Sequence, residues 1–539
     1  MPNRGPRATR GEIVLLVALA GWALFPLVLL AIHAAALHAR FTGADGLIGA
    51  DGVLGADQLQ YLAWIRDAST HGGLTSDLFS LSPSGHVYLQ PLFAISGWLL
   101  SLGVSLPLSY LVWKPIAVLA LFLAAVAWAR RMFDAQPGRR AATVALSLFL
   151  YTPLTALFSW TQLGGGSFRF SLYLLGDEML AAGKLWGYVA SALGVALVPV
   201  ALLATERALR FRRGVAAAPL AFAAGAALLA AWLHPWQGIT LIVIFVGLAA
   251  WSRLRDAPAL AVPAIGAGLP LLYYYALSHH DAAWRVASHY EVIPRLPALV
   301  LLAGLGPLAL IAALGIRRPG EAVIERALLL WVAGCFITYF ANDAFAPHAF
   351  QGLSFPWAVL AVRGWRRLRL PAVAGALAVG LVTIPGLAYN TRKIVRVADG
   401  REVQYFLPSG DTQALDWVTR HAPPGGVLAP TPFAAAVPSQ TGRAVWTGHG
   451  YWSDDYPVQA REVDRLFGGR MSAAAARRFV SGSGGRILIS DCKHHHDLAK
   501  RLRPLLRTAH TFGCARVYVL AAPARPGALT RPTPPPPQR

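Results

Sequence analysis

The chain has 539 residues, 55% of them hydrophobic and 14% charged, and its mean hydropathy of +0.48 excludes an ordinary soluble protein. A net charge of +22 would suit nucleic acid, but the basic residues fall in short clusters between apolar runs. That is the positive-inside pattern of a membrane protein, so no nucleic-acid partner is expected.

A basic N-terminus, Met1 to Arg10, leads into an apolar run from Ile13 to Leu37. The run exceeds the roughly 7–15-residue core of a signal peptide and reads as an uncleaved anchor. Hydropathy predicts about eleven spans, at 12–36, 107–130, 141–160, 187–208, 215–233, 236–253, 258–277, 296–315, 325–341, 347–364 and 369–389, most near the roughly 20 residues that cross a bilayer. With the N-terminus inside, every inner connection is arginine-rich. These carry Arg130, Arg131, Arg139 and Arg140, then Arg207, Arg210, Arg212 and Arg213, then Arg253 and Arg255, then Arg317, Arg318 and Arg326, and last Arg363, Arg366, Arg367 and Arg369.

The first outer loop, 37–106, is different in kind. Acidic residues are scarce elsewhere, yet it carries Asp45, Asp51, Asp57, Asp67 and Asp77. At Gly55-Ala56-Asp57-Gln58 a glycine-rich stretch turns into a helix. Leu59, Leu62, Ile65 and Ala68 recur at helical spacing, Tyr61 and Trp64 add aromatic bulk, and Gly72-Gly73 stops the helix after His71. The expectation is a short amphipathic helix lying on a membrane surface. A second interfacial helix is expected from Gln90 to Leu102, opened by Pro91 and closed near Gly103. The repeat Gly43-Ala44-Asp45, Gly49-Ala50-Asp51, Gly55-Ala56-Asp57 reads as a flexible loop rather than a calcium site.

The later outer loops collect Arg169, Asp177, Glu178, Lys184, His234, His279, His280, Asp281, Arg285, Asp343 and His348, which places function on that face. After Tyr389 the hydropathy falls. Helical stretches at 411–421, 454–467, 473–479 and 495–506 alternate with β-like runs at 426–429, 444–447, 486–489 and 515–520, predicting a small α/β domain with a mostly parallel sheet. Cys492 and Cys514 flank two of those strands and would be free to bond in an oxidising exterior, whereas Cys335 is an apolar filler in a span. The expected fold class is thus an α-helical polytopic membrane protein with a small C-terminal extracytoplasmic α/β domain. Its parts are a membrane domain at 1–395, a soluble domain at 396–522 and a disordered Pro-rich tail at 523–539.

This arrangement resembles the GT-C superfamily of integral-membrane glycosyltransferases, among them the dolichyl-phosphate-mannose–protein mannosyltransferases, which take sugars from polyprenyl-phosphate carriers. The resemblance rests on the basic N-terminus, one span, and a long outer loop with Gly55-Ala56-Asp57-Gln58 ahead of a helix bearing Tyr61 and Trp64. It extends to the second interfacial helix, the following span ending Ala129-Arg130-Arg131-Met132-Phe133, and the outer C-terminal domain. Many members pair two acids in this loop. Here Gln58 follows Asp57, so a divalent metal is not favoured, a lone carboxylate being a poor cage. The resemblance implies sugar transfer, with a polyprenyl-phosphate-linked sugar and a cell-envelope glycan, lipid or protein as partners, at the outer face of the cytoplasmic membrane. No cofactor is assigned, and a divalent metal is not the favoured reading.

Such a reaction needs one carboxylate to take the acceptor's proton, and Asp57 is the candidate base; a helix N-cap is its bland, compatible alternative. Lys114, Arg169, His234 and Arg285 are candidates for the donor phosphate or sugar, although the cations would equally snorkel to headgroups and His234 would equally serve a tight turn. Supporting candidates are Asp67 and His71, four apart on one helical face, with Gln90, Glu178, Asp343 and His348. No metal ligands are assigned, since His279-His280-Asp281, and Asn342-Asp343 with His348, lack fixed spacing. The alternative function is a transporter or flippase of a lipid-linked or small solute, which would put polar residues at the midplane rather than at the outer boundary.

Overall fold

The structure, a computed structural model, describes residues 9–46, 53–210, 217–290, 292, 294–317, 322–400 and 402–521. Asp51, Arg212, Arg213, Arg318 and the Pro-rich tail lie outside them. Eighteen helices build the first part: α1 Arg10–Ala36, α2 Val53–Thr70, α3 Pro91–Ser101, α4 Leu106–Leu111, α5 Trp113–Met132, α6 Pro137–Phe149, α7 Pro153–Thr161, α8 Gly166–Met179 and α9 Val189–Arg210. They continue with α10 Ala217–Leu233, α11 Pro235–Trp251, α12 Ala257–His280, α13 Ala282–Tyr290, α14 Ala298–Leu314, α15 Val323–Ala341, α16 Ser354–Arg367, α17 Ala372–Leu381 and α18 Ile384–Asp399.

Six described helical segments are long and apolar enough to cross a membrane: α1, α4–α5 (Leu106–Met132), α9, α12, α15 and α17–α18 (Ala372–Asp399). The pair α6–α7, bent by 49°, makes a seventh if taken as one span. The other expected spans coincide with α10, α11 and α14, apolar helices of 17 residues, and with α16, a 14-residue helix apolar from Phe355 to Val362 that ends in Arg366 and Arg367. Seventeen residues rise about 25 Å, at the short limit for crossing.

The arginine-rich connections meet at one end of the bundle. There Arg130 grips Glu12 through two hydrogen bonds (2.8 and 3.2 Å), Arg131 and Arg210 share Glu206 (2.7 and 2.9 Å), and Arg363 holds Glu325 (2.6 and 2.7 Å). Arg139 feels the charges of Arg317 and Arg366 across the same surface. Glu12 also completes a capping box with Thr9 that starts α1.

The C-terminal part carries α19 Ser409–His421, α20 Ala436–Thr441, α21 Tyr456–Phe467, α22 Ala473–Ser483 and α23 Ala499–Leu502 around a four-stranded sheet. Strands β1 Arg40–Phe41 and β2 Phe406–Leu407 pair antiparallel and tie the first loop to the segment after α18. The sheet is ordered β3 (Val427–Leu428), β4 (Ile487–Ser490), β6 (Ala515–Leu520), β5 (Leu506–Phe512). Only β3–β4 is parallel, so the expectation of a mostly parallel sheet is corrected. The cause is β5, which begins where a helix over 495–506 was expected to end. It returns through a two-residue hairpin at Gly513-Cys514, with Gly513 at φ +60. Cys514 and Cys492 are joined in a disulfide. The proposed boundary at 395 falls inside α18, which runs on to Asp399.

Helix α2 ends at Thr70, and Gly72 and Gly73 both take positive φ, as their sequence implies. It does not lie open on a surface. Leu59, Leu62, Ala63, Ile65 and Ala68 are fully buried and Trp64 nearly so, because α3 covers one side and α20, from far along the chain, covers the other.

Candidate active site

Asp57 is the fifth residue of α2, in its second turn, so it is not the helix N-cap. Its Oδ1 lies 3.1 Å from Nε2 of His449, and its Oδ2 accepts from the Tyr188 hydroxyl at 3.3 Å. The Asp57 side chain is 16% exposed and His449 only 1%. His449 sits on the loop between α20 and α21. Its Nδ1 accepts the Tyr451 N–H at 3.2 Å, which puts the proton of a neutral ring on Nε2, facing Asp57. The loop is anchored by Ser453, whose hydroxyl accepts the N–H groups of Gly448 and His449 and donates to the Phe79 carbonyl. Thus the soluble part reaches over the first loop and completes the surroundings of Asp57. The sequence reading missed His449. The run Gly448-His449-Gly450-Tyr451-Trp452-Ser453-Asp454-Asp455, dense in turn and aromatic residues after a β-like stretch, was the signal available.

Gln58, where a second acid would stand, does backbone work. Its Oε1 accepts the N–H groups of Asp45 and Gly46 (2.7 and 2.8 Å). Gly187, at φ +85, packs so close that a Cβ there would lie 2.4 Å from the Gln58 carboxamide carbon. Among the described residues, the groups bonded to Asp57 are one imidazole and one phenol, a set that does not fit an oxygen-ligated divalent ion.

Lys114, expected at the donor phosphate, is corrected to a structural role. It is 2% exposed and spends its ammonium on Asp45 and on the carbonyls of Ala23 (3.0 Å) and Leu185 (2.8 Å). Its three donors are used, and Asp45 is a buried anchor rather than part of a flexible repeat. Arg169 bonds the Gln162 carbonyl, and Arg285 is exposed on α13. Gln90 caps α3 by accepting the Phe93 N–H at 3.0 Å. Asp343 pairs with Arg295 (2.6 Å), away from His348, so the loose set they formed in sequence is not assembled. Asp281 likewise accepts the N–H groups of Ala283 and Trp284 at the start of α13.

Glu178, His348 and His234 are brought together. Glu178 accepts from His348 Nδ1 (2.9 Å) and Gln351 (2.6 Å) and lies 3.5 Å from Lys184, and these partners hold it ionised far below the usual carboxylate range despite burial. Lys184 also pairs with Asp177 (3.2 Å). The His234 ring packs against His348 with both nitrogens buried. Asp67 and His71 also meet, and His86 joins them.

Beside α1 an apolar groove of about 550 Å³ opens between α1, α6, α17 and α18, lined by residues such as Leu15, Trp22, Phe149, Val379 and Leu387. Trp22 stacks on Trp186 at 4.0 Å, two residues before Tyr188, so the groove's wall runs directly into the segment that contacts Asp57. Past Leu387 on α18, Asn390 accepts from Tyr173 (3.3 Å) and the Lys393 ammonium lies 3.6 Å from the Tyr173 ring. Arg392 faces Trp160. Neither cation was singled out from sequence.

Solved structures share this architecture. The archaeal oligosaccharyltransferase AglB from Archaeoglobus fulgidus, in complex with an inhibitory peptide and a dolichol-phosphate, aligns over 96% of this chain and 75% of its own, with a TM-score of 0.51 and 13% identity. ArnT from Cupriavidus metallidurans, bound to undecaprenyl phosphate, aligns over 96% and 100%, with a TM-score of 0.50 and 13% identity. The chain shares the fold of these two structures. No protein-family model and no curated protein sequence matches the chain.

Proposed function

We propose that this GT-C-fold chain is a membrane glycosyltransferase that moves a sugar from a polyprenyl-phosphate donor to an acceptor hydroxyl, with inversion at the anomeric carbon. The observation that carries the reading is Asp57. It is a carboxylate oriented by His449 and Tyr188, mostly shielded from water, and joined through residues 186–188 to a groove suited to a prenyl chain.

As the acceptor oxygen attacks the anomeric carbon, its proton passes to Asp57. The bond from that carbon to the phosphate oxygen breaks, and the lipid phosphate departs with the electron pair. Each Asp57 oxygen retains a lone pair beyond its present partner. Lys393 and Arg392, which face rings rather than carboxylates, supply cations at the head of the groove for the leaving phosphate, with Arg169 and Arg285 nearer solvent. Positive-inside loops put the arginine end in the cytoplasm and Asp57 with the C-terminal domain outside, where the Cys492–Cys514 disulfide suits an oxidising compartment. That implies the cytoplasmic membrane and a cell-envelope acceptor. The fold likeness favours transfer over the transporter reading, as does the lack of polar residues on the groove lining beyond Thr383.

The test is transfer of labelled sugar from a polyprenyl-phosphate donor by purified chain. Transfer by the parent and none by Asp57→Asn supports the reading. Equal rates contradict the base assignment.

A further inference from the structure

We propose that Asp67, His71 and His86 form a binding site for a divalent transition-metal ion, zinc by ligand type, which pins the first loop. The site is separate from Asp57, ten residues further along α2 and so about 15 Å away at the helical rise.

Three ligand atoms converge here from two elements. Asp67 stands in the last turn of α2, His71 follows just past the helix end at Thr70, and His86 returns on the loop before α3. Asp67 Oδ1 lies 2.9 Å from His71 Nδ1 and 3.3 Å from His86 Nε2. Ligands on a tetrahedral zinc stand roughly 3.3 Å apart, close to the two distances from Asp67, and the stacked rings would turn to aim both lone pairs at one ion. His71 Nδ1 also faces the Asp67 carbonyl and the Thr70 hydroxyl, both at 3.0 Å, so its proton moves to the solvent-side nitrogen when an ion binds.

The surroundings are built for this. Asp67 is 7% exposed, and its other oxygen accepts both the Ser76 N–H (2.7 Å) and the Ser76 hydroxyl (3.0 Å). That leaves Oδ1 for the two imidazoles, the outer-shell arrangement that orients a ligating carboxylate. The paired backbone bonds between Thr75 and Tyr88 close the loop and bring His86 back to the helix. The two rings stack at 3.5 Å. Two imidazoles and a carboxylate suit zinc or its neighbours rather than magnesium or calcium, and the half-exposed rings leave the fourth position to water.

The loop so pinned, 74–90, carries Phe79 and Ser80, which hold Ser453 (2.9 Å) and Asp454 (3.3 Å) on the loop of His449. The ion thereby braces the docking of the C-terminal part onto the first loop.

The test uses the full chain in detergent, without a polyhistidine tag, loaded with zinc, dialysed and assayed for metal content. Cobalt absorption serves as the second probe. One zinc per chain is expected, with tetrahedral cobalt bands. Binding should weaken at least tenfold in the His71→Ala/His86→Ala variant and persist in His279→Ala, an exposed histidine elsewhere. Chelation should lower the melting temperature of the parent and leave that of the double variant unchanged, a readout that holds even if the variant is less stable. Zinc retained equally by parent and double variant, or by neither, overturns the proposal. These readouts do not involve transfer, so they stand or fall apart from the proposed activity.

Discussion

The two ends of the bundle handle charge in opposite ways. At the arginine end the buried carboxylates Glu12 and Glu206 and the half-buried Glu325 are each gripped by a guanidinium, which satisfies charge and lone pairs together. At the other end Asp45 and Glu178 are likewise held, but other groups keep capacity in reserve. Asp57 has a histidine from the C-terminal part and a tyrosine, Asp67 has two histidines, and Lys393 rests on a ring. Saturated charges build an end that does not change. Unsaturated ones are what a substrate or an ion needs.

Five substitutions probe that contrast, those that change the transfer rate first, from the larger expected effect to the smaller. Asp57→Asn removes the proton acceptor and should lower the transfer rate by about 10²–10⁴-fold without loss of expression or monodispersity, measured with labelled donor. His449→Ala should lower kcat by up to about 10²-fold by letting Asp57 turn, while His449→Gln, which keeps an N–H donor, should recover part of it. Equal losses in both would mean that His449 only fills space.

Glu325→Ala strands Arg363 at the opposite end and should cost about 3 kcal/mol of stability, seen as a lower melting temperature in detergent, with the rate per folded molecule unchanged. A lost rate there would erase the distinction between the ends. The last substitution acts on pH dependence. Burial, reinforced by the charges of Asp454 and Asp281, pushes the Asp77 carboxyl up to about 8. The folded chain then binds that proton more tightly than the unfolded chain. Stability should fall as pH rises from about 4, the ordinary carboxylate value, and level off above about 8. Asp77→Asn should flatten that slope in thermal melts, with its advantage over the parent greatest above pH 8.

Local signals were legible in the sequence and non-local ones were not. Gly72-Gly73 marked the end of α2, Pro91 and Gln90 marked the start of α3, and alternating arginine clusters sorted the loops into two ends, because each depends on neighbours a few residues away. Asp57 stood out by its scarcity and position. Its partner His449 is 392 residues distant, and no periodicity connects them. Lys114 was misassigned for the same reason. A lysine near a span's end suggests a ligand until Asp45, in a glycine-rich repeat that looks flexible, proves to be its counter-ion. Helix α2 looked amphipathic because the residues of α20 that cover it come from another part of the chain. Strand β5 was hidden because its alternating polar side chains, on an edge strand, carry little hydrophobic signal.

The central claim is that Asp57 stands where a lipid phosphate and its sugar arrive together. An experimental structure of the chain with a bound polyprenyl phosphate tests it most directly. The account predicts the prenyl chain in the groove between α1, α6, α17 and α18, and the phosphate between Lys393 and Asp57. A phosphate seated at the arginine end, or one held away from Asp57 with the groove empty, would contradict it.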